Sequence, residues 1–146
     1  MMEMADAMVH LGRPDRAQQL VRRARRIHDW HRWVAAWAHF MEAGRDALSY
    51  RLALEELDAF YRAPDDPHFD VDALLLKAAA LHRLSQLRGT SQRLAKAQRA
   101  EAQRLLTLFR QKRPGFDLRA AQRQYRFARA ADLEHWLGAL RDLGVA

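Results

Sequence analysis

The sequence predicts an all-α fold, a row of about three helical hairpins closed by a C-terminal helix. The composition favours helix, because the 146 residues include only 6 Gly and 4 Pro and few β-branched residues. Apolar residues recur at helical rather than strand spacing in the segments between turn signals. A pattern of small and large residues also recurs along the chain, which indicates repeated helical units.

Turn signals and apolar spacing predict eight helices. Pro14 suits a first helical turn, where its missing N–H would have no partner, and Asp70 and Ser91 are predicted N-caps. Gly89 and Gly144 suit the left-handed conformation that commonly ends a helix. Short connections between such helices predict antiparallel neighbours. The predicted helices cover about residues 1–11, 15–28, 30–43, 46–62, 70–87, 92–113, 118–125 and 130–143.

A recurring triplet places a small residue early in the second helix of each hairpin, followed by further apolar residues at helical spacing. The small residue lets that helix approach the preceding one, and the later residues fill the space between hairpins. We therefore predict one domain, 1–146, with hairpins at about 1–28, 30–62 and 70–113 and a cap at about 116–144. The triplets are Ala17, Val21 and Ala24; Ala53, Leu57 and Phe60; and Ala102, Leu106 and Phe109.

This pattern resembles the tetratricopeptide repeat. Residues 5–17, ADAMVHLGRPDRA, match the first helix (A), the turn and the start of the second helix (B) of that repeat. Trp33 and Trp37 in the second unit, and Leu75 and Ala79 in the third, stand where the repeat places the large and small residues of helix A. The chain departs from the family pattern in its second and third B helices, which are longer.

The C-terminal stretch, residues 113–145, is similar to the tail that follows the last repeat in many bacterial regulators. These include tetratricopeptide regions attached to class III adenylate cyclases and to winged-helix domains. The shared features are a proline–aromatic break at Pro114 and Phe116, a short helix, and a leucine-rich helix ending in a Leu-Arg-x-x-Gly sequence. The chain carries neither of those attached domains, so we expect a fragment, a stand-alone remnant or a protein that docks its opening hairpin on another.

The resemblance implies a protein–protein interaction module, a scaffold or adaptor that binds a peptide or helix of a partner protein. In such right-handed α-solenoids the A helices line a concave face. Replacing Val34 and Met41 with Asp is then expected to abolish partner binding with little change in melting temperature. The residues that the resemblance places on this face are His31, Val34, Met41, Glu42, Leu76 and Arg83.

The charge balance leaves an alternative open. Lys and Arg (25) outnumber Asp and Glu (18), which favours acidic partners. The excess is concentrated in residues 88–113, where only Glu101 is acidic. A basic helical protein that binds nucleic acid through Arg93, Lys96 and Arg99 would show affinity that falls with salt. Self-association of exposed hairpin ends into a homo-oligomer is a third interpretation.

Several function classes lack support in the sequence. The absence of cysteine and of catalytic or phosphate-binding motifs predicts no enzyme and no cofactor. His28 and His31 lack the flanking residues of a metal motif, so no metal site is predicted.

Trp30, Trp33 and Trp37 share a helix face and are predicted to be core rather than a base-stacking platform. No apolar stretch is long enough to cross a membrane and no signal peptide is recognisable, which predicts a cytoplasmic protein without membrane partners.

Overall fold

The structure, a computed structural model, describes residues 2–23, 30–42, 48–60 and 71–146. Within these ranges the chain forms eight α-helices and no β-strand, which confirms the all-α prediction. Each predicted helix corresponds to one of those observed. The helices are α1 (Met2–His10), α2 (Pro14–Arg23), α3 (Trp30–Glu42), α4 (Ser49–Phe60), α5 (Val71–Ser85), α6 (Gln92–Lys112), α7 (Leu118–Gln124) and α8 (Ala130–Leu143).

Local signals in the sequence set several helix ends. α2 begins at Pro14. Proline suits this position because a backbone N–H in the first helical turn has no intrahelical partner, so its loss costs no hydrogen bond. α6 begins after Ser91, whose side chain accepts a hydrogen bond from the backbone N–H of Leu94. α8 ends at Gly144, whose φ of 106° lies in the left-handed region that suits glycine. The predicted N-cap Asp70 lies outside the described residues.

Helices that are neighbours in the chain are also neighbours in space. Each helix from α1 to α5 packs against the next one, and α3 also contacts α1 and α5. The odd-numbered helices α1, α3 and α5 therefore lie beside one another. The last helix, α8, packs against α3, α5 and α7. The C-terminal part of the chain thus returns to the helices that begin the second and third hairpins.

Alanine opens the repeated triplet at a buried position in α2, α4 and α6. Ala17, Ala53 and Ala102 have no exposed surface. Because each side chain is a single methyl group, the helix can approach its neighbour closely at these points. Leu57 and Leu106, which follow in the triplets, are buried in the core as well. The triplet positions outside the described residues are Ala24 and the side chain of Phe60.

An aromatic cluster joins the C-terminal segment to α3. The ring centroid of Trp37 in α3 lies 4.7 Å from that of Trp136 in α8 and 5.3 Å from that of Tyr125, which follows α7. Large aromatic side chains contribute much of the apolar area that stabilises a small core. Trp33 and Trp37 are buried, which confirms the core interpretation for these two residues. The side chain of Trp30 lies outside the described residues.

Hydrogen bonds also connect the C-terminal segment to α1 and α3. The backbone N–H of Ala128 donates to the carbonyl oxygen of His10 at 2.8 Å. Nε2 of His135 lies 3.0 Å from the carbonyl oxygen of Phe40. Burial lowers the pKa of His135, which favours the neutral ring. Since a carbonyl oxygen can only accept, Nε2 of that ring carries the hydrogen and donates it.

Candidate functional site

Three apolar residues predicted on a concave binding face belong to the core. Val34 and Leu76 have no exposed surface, and Met41 retains only 6%. α3, which carries Val34 and Met41, packs against α1, α2, α4, α5 and α8, so neighbouring helices cover it. This burial contradicts the prediction that the three side chains are available to a partner, because the helices packed around α3 and α5 cover them.

The polar residues predicted on the same face connect helices to one another. Oε2 of Glu42 accepts a hydrogen bond of 2.6 Å from Nε2 of Gln18, which joins α3 to α2. Nη1 of Arg83 forms an ion pair of 3.0 Å with Asp142, which joins α5 to α8. His31 belongs to α3, but its side chain lies outside the described residues. The described polar members of the predicted set therefore have partners within the chain.

The first helix, in contrast, carries a second apolar stripe whose two ends are exposed. Ala5 and Val9 are buried, whereas Met4, Met8 and Leu11 follow a second line at intervals of four and three residues. Met4 is 54% exposed and Leu11, just beyond the end of α1, is 53% exposed. Met8, between them, is partly buried and packs against the core. Uncovered apolar side chains at helical spacing are typical of surfaces that bind another molecule.

A groove of about 390 Å³ lies between α1 and α2, beside this stripe. Met4 and Met8 of α1 and Leu20 of α2 form its apolar lining. Ligand-binding pockets typically have volumes of about 300–1,000 Å³, and the volume of this groove falls within that range. The remaining lining residues are Arg13, Arg16, Gln19 and Arg23.

The groove carries positive charge, and no acidic residue is among its described lining residues. None of Arg13, Arg16 and Arg23 forms an ion pair with another residue in the described part of the chain. Nη1 of Arg16 donates to the side-chain oxygen of Gln19 at 3.3 Å, and this neutral partner does not balance the guanidinium charge. Guanidinium groups in this setting can pair with carboxylates of a bound molecule.

None of the groove residues belongs to the binding set predicted from the sequence. A signal for them exists in the sequence, because Met4 and Met8 share a face of α1, and Arg16 and Arg23, seven residues apart, share a face of α2. Whether these two faces meet depends on how α1 and α2 cross, and spacing within one helix does not specify that angle.

α6 presents the basic residues of the nucleic-acid alternative. Arg93, Lys96 and Arg99 are exposed, and none forms an ion pair within the described ranges. At intervals of three residues they lie along one side of the helix. The nearby Glu101 pairs with Arg104 at 2.6 Å. Three exposed cations on one helix side can neutralise phosphates of a nucleic acid.

The described ranges contain neither a metal-binding cluster nor a membrane-spanning helix. No group of three or more His, Asp or Glu side chains there could hold a metal ion. His28 lies outside those ranges, as does the side chain of His31. None of the eight helices in the described ranges is both long enough and apolar enough to cross a bilayer.

Comparisons with protein-family models, with curated proteins and with solved structures find no match to this chain. The resemblance to the tetratricopeptide repeat therefore stays an expectation from the sequence pattern.

Proposed function

We propose that this chain is a protein-interaction module rather than an enzyme, and that it binds a peptide or helix of a partner protein in the groove between α1 and α2. One observation carries the proposal: the exposed Met4 and the partly buried Met8 line a groove beside Arg16 and Arg23, which lack acidic partners in the described ranges. Helix-in-groove recognition uses apolar anchors at this kind of spacing. Arginine is also enriched where proteins meet.

The architecture that we propose is a tetratricopeptide-like α-solenoid of three hairpins with α8 as its cap. The contacts of α3 with α1 and α5 support it, as do the buried alanines that open the triplets of α2, α4 and α6. In such stacks each hairpin covers one face of its neighbour. Because α8 packs on α3 and α5, we assign partner binding to the first hairpin.

Site-specific photo-crosslinking in cells of the native host tests this function. A photoreactive phenylalanine analogue replaces Met4, and in a matched variant it replaces Gln122, which is exposed on α7. We expect a protein adduct from position 4 and none from position 122. No adduct at position 4, or equal adducts at both positions, contradicts the proposal. An adduct with a second copy of this chain would assign the groove to self-association.

Nucleic-acid binding by α6 is a second candidate function, favoured by the exposed Arg93, Lys96 and Arg99. Fluorescence anisotropy with labelled duplex DNA and single-stranded RNA tests it. Phosphate contacts predict an affinity that falls steeply with salt and is lost when all three residues are replaced by Glu. No binding at low salt, or equal binding by the native chain and the triple variant, removes this candidate.

A further inference from the structure

The lining of the α1–α2 groove indicates the kind of partner segment that fits, an inference that rests on the proposed function. Met4, Met8 and Leu20 provide the apolar part of the lining. Methionine side chains are flexible and polarizable, so they adapt to apolar groups of different shape. A groove of about 390 Å³ accommodates a few large apolar side chains, and not a folded domain. The partner therefore contributes a short segment with clustered apolar residues.

The stripe on α1 favours a helical segment over an extended one. Residues 4, 8 and 11 span about 10 Å along a helix axis at about 1.5 Å per residue. A partner helix with apolar residues four and three positions apart has the same repeat and can lie along this stripe. Extended segments commonly bind by adding a strand to a sheet edge, and the described ranges contain no strand.

The arginines of the groove favour a partner segment that carries negative charge. Arg13, Arg16 and Arg23 line the groove, no acidic residue joins them there, and none has an ion-pair partner in the described ranges. A carboxylate matches the planar guanidinium with two parallel hydrogen bonds, whereas a basic segment would be repelled. Because Arg16 and Arg23 are two helical turns apart, acidic residues two turns apart on the partner can meet both.

We infer that the groove between α1 and α2 binds an acidic amphipathic helix of a partner protein. Apolar side chains of that helix enter between Met4, Met8 and Leu20. Glutamates or aspartates beside the apolar stripe pair with Arg16 and Arg23. The apolar contacts anchor the helix, and the ion pairs accelerate association and select against basic segments.

Designed peptides test the inference on the full chain by fluorescence anisotropy. The probe is a labelled helical peptide with Leu at positions i, i+4 and i+7 and Glu at the flanking positions. One matched peptide has Lys in place of every Glu, and the other has Ser in place of every Leu. We expect the probe to bind at least roughly tenfold more tightly than either, and more weakly as salt rises. Equal affinity for the probe and either matched peptide overturns the inference.

Charge reversal on the chain supplies the complementary test. The double variant Arg16→Glu, Arg23→Glu is compared with Arg51→Glu, Arg123→Glu, which changes the net charge equally at exposed positions on α4 and α7. We expect a loss of roughly tenfold in probe affinity for the first variant alone. Met4→Ser, at an exposed side chain, should weaken binding without any change of charge. Circular dichroism verifies folding, and equal affinities of the two double variants overturn the inference.

The outcomes of these tests and of the crosslinking experiment are distinguishable. A protein adduct at position 4 together with equal binding of the Glu and Lys peptides rejects the acidic helix and retains the interaction function. If position 4 gives no adduct and the peptides bind equally, both the acidic helix and the interaction function are rejected. An adduct that the Leu and Glu probe suppresses, while the Lys peptide does not, supports both.

Discussion

Gly12 lies where the first hairpin meets the C-terminal segment, and both its backbone and its lack of a side chain matter. Its φ of 72° lies in the left-handed region that other residues adopt with strain. A Cβ atom there would overlap Cδ of Arg129 and lie 2.8 Å from Oδ2 of Asp132. Nη1 of Arg129 also donates to the carbonyl oxygen of Gly12 at 3.3 Å. Glycine therefore permits the close approach of the C-terminal segment to the turn between α1 and α2.

We expect Gly12→Ala to lower the free energy of unfolding by about 2 kcal/mol or more, because backbone strain and displacement of Arg129 add together. Gly89→Ala is the matched control, since Gly89 has a φ of 85° but no atom within 4 Å of the added Cβ. The control should lose only about 1 kcal/mol. Urea unfolding followed by circular dichroism measures both, and equal losses would contradict the contact.

Partly buried histidines should make the stability depend on pH. Burial lowers the pKa of His135 and of His39 below the ordinary value of 6.5. The unfolded chain then binds protons at a higher pH than the folded chain does. The histidine contribution to stability is therefore present above about pH 6.5 and is lost as the pH falls through the lower folded pKa values.

We expect the melting temperature to fall between about pH 7 and pH 5, and to fall less in His135→Asn. Asparagine keeps a side-chain N–H donor but does not titrate in this range. Differential scanning calorimetry at several pH values measures the effect. The same fall in the native chain and the variant would exclude a contribution from His135.

At the scale of the helix, the sequence predicts boundaries well because their causes are local. Pro14, Ser91 and Gly144 act on the backbone within one turn of their own position, so distant residues are not needed to interpret them. α6 is predicted at 92–113 and observed at Gln92–Lys112 for this reason. Val34 differs, because the same apolar residue is core or exposed depending on which helix covers it, and that depends on contacts far apart in the chain.

Val34→Asp now has an expected outcome opposite to the one that an open concave face implies. An unpaired carboxylate at a fully buried position should unfold the chain or lower its melting temperature severely. Leu52→Asp is the matched control, because Leu52 in α4 is 44% exposed and should tolerate the charge with little change. Thermal unfolding by circular dichroism compares them. An unchanged melting temperature for Val34→Asp would instead support the predicted open concave face.

Packing of α8 should contribute substantially to stability. Leu140 in α8 has no exposed surface, so Leu140→Ala should lower the free energy of unfolding by about 2–5 kcal/mol. Leu94→Ala, at a 48% exposed position of α6, should cost less than about 0.5 kcal/mol. Denaturant unfolding measures both variants. Similar small losses would mean that α8 does not form part of the core.

At the scale of the whole molecule, the groove results from long-range packing. α8 covers α3 and α5, while Met4 of α1 stays exposed beside the arginines of α2. Composition predicts an attraction to acidic partners, because the net charge is +7. Composition does not predict where on the molecule such a partner binds, since the position of Arg16 relative to Met8 depends on the angle at which α1 and α2 cross.

The central claim, that a partner helix binds between α1 and α2, is tested most directly by nuclear magnetic resonance. The ¹⁵N-labelled chain is titrated with the unlabelled Leu and Glu peptide, and amide shifts are followed along the sequence. We predict shift changes concentrated in residues 4–23, with α6 unaffected. Changes centred on α6, or spread evenly over the molecule, would contradict the claim.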